Sequence, residues 1–103
     1  MPKEFEVSIA PRAAKEFDDA LQYISQFSQL AAIKLAGEFR RKAGYLERSP
    51  YQYALLPEKV RGNYEYRQVL FGKYRAIYRI EEKQVYIVRI RHQAQKPLTI
   101  FED

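Results

Sequence analysis

The spacing of apolar positions switches between a period of two and a period near 3.6, and the switches divide the chain into elements. Phe5 to Ile9 ("FEVSI") alternates apolar and polar residues, which predicts a short strand. Ala13, Ala14, Phe17, Ala20, Leu21, Ile24 and Phe27 then recur at intervals of three and four, one face of an amphipathic helix. Pro11 sits where a first helical residue has no use for its missing N–H. Ser28 is placed to cap a second helix, whose apolar positions are Ala32, Leu35, Ala36, Phe39, Ala43 and Leu46. "RSP" (Arg48 to Pro50) stops that helix, because the residue before a proline is driven out of the α region. With almost no connector between them, the two helices must fold back as an antiparallel hairpin.

A loop follows, punctuated by Pro57 and Gly62. Period two then returns over Tyr66 to Phe71, Tyr74 to Glu81 and Val85 to His92, with turns expected at Gly72-Lys73 and at Glu82-Lys83-Gln84. The resulting order, β-α-α-β-β-β, is an α+β domain: an N-terminal strand, a helical hairpin and a three-stranded antiparallel C-terminal sheet, each layer burying its apolar side on the other. At 103 residues, with no repeat and no boundary, residues 1–103 form one domain. The tail from residue 93 to 103 carries weak signals; it is expected either to be mobile or to dock through Leu98, Ile100 and Phe101.

Strand parity gives the arginines a direction. Strict alternation groups Tyr74, Ala76, Tyr78 and Ile80 against Arg75, Ile77 and Arg79, and groups Tyr86, Val88, Ile90 and His92 against Val85, Ile87, Arg89 and Arg91. Packing the tyrosine and aliphatic set on the helices leaves Arg75, Arg79, Arg89 and Arg91 on the open face, with Glu81 as a possible same-face acid. Like charges so placed raise the free energy of the isolated protein and invite an anion, and guanidinium suits bidentate contact with phosphate or carboxylate. The structural alternative is that the arginine stems cover apolar sheet surface while their heads reach acids on the helices or in the tail, Glu102 and Asp103. Arg67 joins the patch only if the length of the Gly72-Lys73 turn gives it the right face.

The formal net charge is +5, unevenly spread. From Lys59 to Lys96 the only acids are Glu65, Glu81 and Glu82 against ten basic residues, whereas the first 58 residues are balanced. A basic C-terminal half points to a polyanionic partner, or serves as a solubilising surface. The absence of cysteine excludes disulfides and thiolate metal sites, and fits a reducing cytoplasm. No apolar run reaches membrane-spanning length, and the N-terminus lacks the apolar core of a signal peptide, so a cytoplasmic protein with no membrane contact is expected. His92 is a lone histidine with no ligand cluster, so no metal is expected; its parity with Ile90 fits a satisfied, partly buried side chain or a catalytic one. No phosphate-cradling glycine loop, nucleophile elbow or carboxylate pair is present, and no cofactor is expected.

The stretch "YRQVLFGKYRAIYRIEEKQVYIVRIRH" resembles the C-terminal sheet of the RelE/ParE superfamily, toxins of type II toxin–antitoxin modules. The features that carry the likeness are an arginine-bearing strand, a glycine turn, a "YR" pair with a second tyrosine soon after it, an acidic turn, and an aliphatic strand ending in histidine. The resemblance implies one of two activities. RelE-like members are ribosome-dependent mRNA endonucleases, and in that case Arg75, Arg67 and Arg91 would clamp phosphate with His92 as a proton-transfer group. ParE-like members inhibit DNA gyrase without hydrolytic chemistry, and in that case Arg75, Arg79, Arg89 and Arg91 form a partner-binding surface. The ending "RIRHQ" is similar to ParE-like members, and Val69, Gln93, Gln95 and Phe101 stand where RelE-like members usually carry basic or hydroxyl-bearing residues. A gyrase-directed toxin is therefore expected, with an mRNA endonuclease as the alternative and an inert binding module of the same fold as a third reading. The resemblance also implies a cognate acidic antitoxin and operator DNA contact only through it. The double substitution of Arg75 and Arg91 by Ala is expected to weaken toxicity and leave the fold intact.

Overall fold

The computed structural model describes residues 3–58 and 62–95. Its elements are β1 (Glu6–Ile9), α1 (Pro11–Ser25), α2 (Gln29–Leu46), a single 3-10 turn (Pro50–Gln52), β2 (Tyr66–Phe71), β3 (Tyr74–Glu81) and β4 (Gln84–His92). This is the expected order, with β2, β3 and β4 forming an antiparallel meander. β1 adds to it in parallel alongside β4, giving a four-stranded sheet in the order β1-β4-β3-β2. The tail residues expected to dock, Leu98, Ile100 and Phe101, and the acids Glu102 and Asp103, lie outside the described residues.

Local chemistry sets the element ends. Pro11 opens α1, and the Ser28 side chain accepts a hydrogen bond from the Ala31 N–H at 3.0 Å to cap α2. α1 stops at Ser25, short of Phe27, so the expectation that Phe27 belongs to the buried stripe is corrected: its ring is 75% exposed. The apolar stripe ends at Ile24, whose carbonyl takes the N–H groups of both Phe27 and Ser28 as the chain reverses. Both strand turns are two residues long, Phe71 pairing with Tyr74 and Glu81 with Gln84, so the expected three-residue turn at Glu82-Lys83-Gln84 is corrected: Gln84 is the first residue of β4. Each opens on a left-handed residue, Gly72 at φ 55° and Glu82 at φ 54°.

The main core lies between the helices and one sheet face. Ala13, Leu35, Phe39 and Leu46 meet Val69, Phe71, Ala76, Tyr78, Val85, Ile87 and Ile90, with Phe17, Leu21 and Ile24 packed at the margin. Phe17, Phe39 and Phe71 form an aromatic cluster, with Phe39 4.5 Å from Phe17 and 5.1 Å from Phe71 between ring centroids. Tyr78 is wholly buried and donates its hydroxyl hydrogen to the Pro50 carbonyl at 2.5 Å. Burial drives its phenol pKa far above the ordinary value, so the O–H donor is permanent. Tyr78→Phe orphans that buried carbonyl and is expected to cost about 1–2 kcal/mol by urea denaturation.

Strict alternation fails at one place in β4. Ile77 pairs with Arg89 but Tyr78 pairs with Ile87, so Val88 is an extra, bulged residue. Without the bulge, β4 could bury either Val85 and Ile87 or Ile90 against the helices. With it, all three face the core, exposed 0%, 0% and 3%. The expected placement of Tyr86 and Val88 on the helix side is thereby corrected. Tyr86 lies opposite Arg79 on the far face, and Val88 packs there beside Tyr66 and Ile77.

α2 carries two glycines that the fold does not use. A Cβ at Gly37 or at Gly44 would meet no atom within 4 Å. Glycine inside a helix costs roughly 0.5–1 kcal/mol relative to alanine. Gly37→Ala and Gly44→Ala are each expected to raise stability by about that amount. A thermal melt reads the gain.

Candidate functional site

With the bulge in place, the register still sends all four strand arginines to the side away from α1 and α2. Arg75 is the cross-strand partner of Arg91, Ile77 of Arg89, and Arg79 of Tyr86. That side is not open along its length. The segment before β2 pairs antiparallel along that strand's outer edge, Leu55 opposite Arg67, and turns its next residues onto this side: the Leu56 N–H donates to the Tyr66 carbonyl at 2.8 Å and the Gln68 N–H to the Ala54 carbonyl at 3.1 Å. Leu56 thereby covers Tyr66 and Ile77, forming a second, smaller apolar cluster with Val88.

This covering segment delivers Glu58 to Arg75. Two Arg75 nitrogens meet the two Glu58 carboxylate oxygens, one at 2.9 Å (Nη1 to Oε1) and the other as the Nη2–Oε2 contact of the same fork. Nη1 also donates to Gln68 Oε1 at 2.9 Å. The pair is deep, its side chains 10% and 8% exposed. Arg75 is thus a buried guanidinium whose planar fork is closed by the chain's own carboxylate. A cleft of about 330 Å³ adjoins it, lined by Pro57, Glu58, Arg75, Gln93 and Gln95.

Arg89 is held in a similar way from the other edge. β1 ends at Ile9, so the last part of β4 runs beside α1 instead of a strand. Glu16 on α1 fills that gap. It accepts from Arg89 Nε at 3.0 Å and Nη2 at 2.7 Å, and from the Ile90 backbone N–H at 3.0 Å. One carboxylate therefore neutralises a strand arginine and satisfies an edge amide. Arg79 bonds Glu81 through Nε at 3.3 Å, and its guanidinium lies 4.2 Å from the Tyr64 ring centroid and 5.1 Å from that of Tyr86. Arg91 completes the group. Burial first, then the charge of Arg89 and more weakly that of Arg75, hold its guanidinium pKa below the ordinary value against the opposing pull of Glu16 and Glu58.

The other candidates do not join these residues. The two-residue turn at Gly72-Lys73 pairs Arg67 with Tyr78, which puts Arg67 on the helix side. There its Nη1 donates to the Tyr53 carbonyl at 2.7 Å and the Tyr51 carbonyl at 3.3 Å. His92 pairs with Tyr74, also on the helix side, and its ring packs edge-on against Tyr74 with centroids 5.0 Å apart. Its Nδ1 accepts the Ala94 N–H at 3.0 Å, while its own backbone N–H donates to Gln95 Oε1 at 2.7 Å. The "HQAQ" ending is thus a local turn. It is anchored by the Gln93 N–H on the Lys73 carbonyl at 2.8 Å.

Glu58 and Glu16 are the two residues that sequence reasoning missed. Nothing local marks Glu58, a loop acid 17 positions before Arg75. Glu16 gave a faint sign, since it lies three residues after wholly buried Ala13, at the border of the helix's apolar stripe. Among the described residues there is no group of three or more His, Cys, Asp or Glu that could hold a metal ion. Among them also, no helix is long and apolar enough to cross a membrane.

This architecture has known counterparts. The chain is similar in fold to the chromosomal ParDE toxin–antitoxin system from P. aeruginosa, with a TM-score of 0.68 at 21% identity, the match covering 86% of this chain and 96% of that one. It is similar also to the archaeal RelE–RelB complex from Pyrococcus horikoshii OT3, with a TM-score of 0.58 at 18% identity over 90% of this chain and 99% of the other. No curated protein sequence matches significantly. The family model described as the ParE toxin of the type II toxin–antitoxin system, parDE, matches residues 7–97, nearly the whole described domain. The chain belongs to the ParE toxin family, within the RelE/ParE superfamily of type II toxin–antitoxin toxins.

Proposed function

We propose that this toxin arrests growth by binding and inhibiting DNA gyrase, and that it does not cut RNA itself. The observation that carries this reading is the separation of the endonuclease candidates. Cleavage of a phosphodiester needs cationic and proton-transferring groups converging on one phosphate. Here Arg75 and Arg91 lie on one face of the sheet while Arg67 and His92 lie on the other. Arg75 is also occupied by Glu58. A surface that binds a protein target through shape and charge needs no such convergence. The reading places the toxin in the cytoplasm with its target.

A cognate acidic antitoxin belongs to the same proposal, as does operator contact made only through that antitoxin. The two structural neighbours are a ParDE system and a RelE–RelB complex, which supports an antitoxin partner here. Ribosome-dependent mRNA cleavage is the alternative. It is favoured by the cross-strand pair Arg75 and Arg91 and by the cleft that Arg75 lines.

Parallel assays on the purified protein discriminate between them. One follows supercoiling and cleavage-complex accumulation by gyrase, and the other maps mRNA ends in a translating extract. Inhibition of gyrase with intact mRNA is expected. Ribosome-dependent cuts with unaffected gyrase would overturn the proposal, and inactivity in both, without toxicity on expression, would leave an inert binding module.

A further inference from the structure

The acids that meet Arg89 and Arg75 are held unequally. Glu16 stands on α1 and takes the Ile90 N–H at 3.0 Å as well as the Arg89 guanidinium, so it serves the backbone too. Glu58 stands in a bend two residues past Leu56, whose N–H fastens the covering segment to the Tyr66 carbonyl. With Arg75 it lines the cleft of about 330 Å³, which neither Glu16 nor Arg89 borders. The Arg75 fork is a complete oxyanion receptor. Its Nη1 and Nη2 donate to the two oxygens of one carboxylate, and Gln68 Oε1 fixes the plane by accepting from Nη1 at 2.9 Å. Arg91 stands across the strand pair from it, so the guanidinium groups of Arg75, Arg89 and Arg91 share this region with the carboxylates of Glu16 and Glu58.

We propose that Arg75 is an oxyanion-binding site which Glu58 keeps closed in the free toxin, and that a phosphate group of the target takes the place of the Glu58 carboxylate. A carboxylate tethered on the same chain outcompetes free anions through its effective concentration. A target docked beside the cleft presents its phosphate with the same advantage and exchanges with it. The departing carboxylate turns into the cleft, where water solvates it, so no charge is stranded. Phosphate fits this site better than a second carboxylate. A carboxylate has only the two oxygens that the fork engages, whereas phosphate keeps others for the neighbouring Arg91. The exchange is a binding contact and supplies no chemistry, because Arg67 and His92 stay on the opposite side of the sheet. The inference rests on the gyrase reading only for the source of the phosphate, the DNA that gyrase holds.

Binding of inorganic phosphate to the full chain is measured first, without the target, by calorimetry at constant ionic strength. Glu58→Gln keeps the shape of the side chain and removes its charge. It is expected to bind phosphate at least tenfold more tightly than the parent, whose site is open only while Glu58 is away. Glu16→Gln is expected to match the parent. Adding Arg75→Lys to Glu58→Gln is expected to abolish the gain, because an ammonium lacks the fork. One readout needs no substitution: the Arg75 Nε–H signal by NMR is expected to move in the parent as phosphate replaces chloride. A signal that stays fixed, or equal phosphate binding by the parent and Glu58→Gln, overturns the inference. So does an equal gain in Glu16→Gln, which reports net charge alone, or acetate binding as tight as that of phosphate. In the supercoiling assay Glu58→Gln is expected to inhibit gyrase at least fivefold more strongly than the parent. Inhibition that Glu58→Gln leaves unchanged or weakens overturns the inference and leaves the gyrase reading standing. A gain in phosphate binding, with gyrase unaffected by either protein, supports the site and overturns the gyrase reading.

Discussion

Arg75→Ala is expected to lower the unfolding free energy by about 3–5 kcal/mol, the largest effect of any single surface-to-core change in this protein. The reason is what the substitution leaves behind. Glu58 keeps a side chain only 8% exposed, with its bidentate guanidinium gone and its charge less well compensated. The pair itself need not be a large net stabiliser, because taking both charges out of water offsets much of their attraction. The two statements are separable by experiment. Replacing both residues with apolar ones of similar size, Arg75→Met with Glu58→Leu, is expected to recover most of the loss, and urea denaturation of the two single variants and the double variant closes the cycle. A single variant within about 1 kcal/mol of the parent would mean that water reaches the pair freely. The structure thus revises the expectation that the Arg75 and Arg91 double alanine keeps the fold intact. Loss of toxicity in it would report instability as much as a lost contact, whereas the compensated apolar pair tests function on a folded protein.

Glu16→Ala is expected to cost about 2–4 kcal/mol, somewhat less because this pair is more hydrated, at 13% exposure for Arg89 and 23% for Glu16. Two losses combine. Arg89 is stranded against the sheet edge, and the Ile90 N–H loses the acceptor that stands in for a neighbouring strand. Glu16→Gln keeps an acceptor for that amide and is expected to recover part of the cost. Hydrogen exchange sharpens the test, since faster exchange at Ile90 in Glu16→Ala with Val69 in the core unchanged would locate the damage at the open edge of β4. Equal stability of the parent and both variants would show that the edge needs no cap.

Together these two carboxylates explain why a count of charges along the chain misled. The first 58 residues hold as many acids as bases, and the region after them is strongly basic. Yet Glu16 and Glu58 leave that balanced half to neutralise Arg89 and Arg75. Lys34, Arg40 and Arg41 on α2, in the half that looked neutral, join no ion pair among the described residues. A surface potential depends on pairings across tens of residues, and local composition does not record them.

Local sequence signals settled the element order, the hairpin, the Ser28 cap and the Gly72-Lys73 turn, because each follows from interactions within a few residues: capping, proline geometry and the two-residue alternation of strands. The "YR" and "RIRH" patterns also sufficed to place the chain among the RelE/ParE toxins. Only the tertiary structure decided the bulge at Val88, which exists because three aliphatic residues of β4 compete for one buried face. It alone brought Glu58 and Glu16 to their arginines, and it alone fixed Arg67 on the helix side, whereas strand parity already set His92 apart from Arg75 and Arg91. Those outcomes depend on which distant segments share a face, and packing fixes that only when the whole chain has closed on its core.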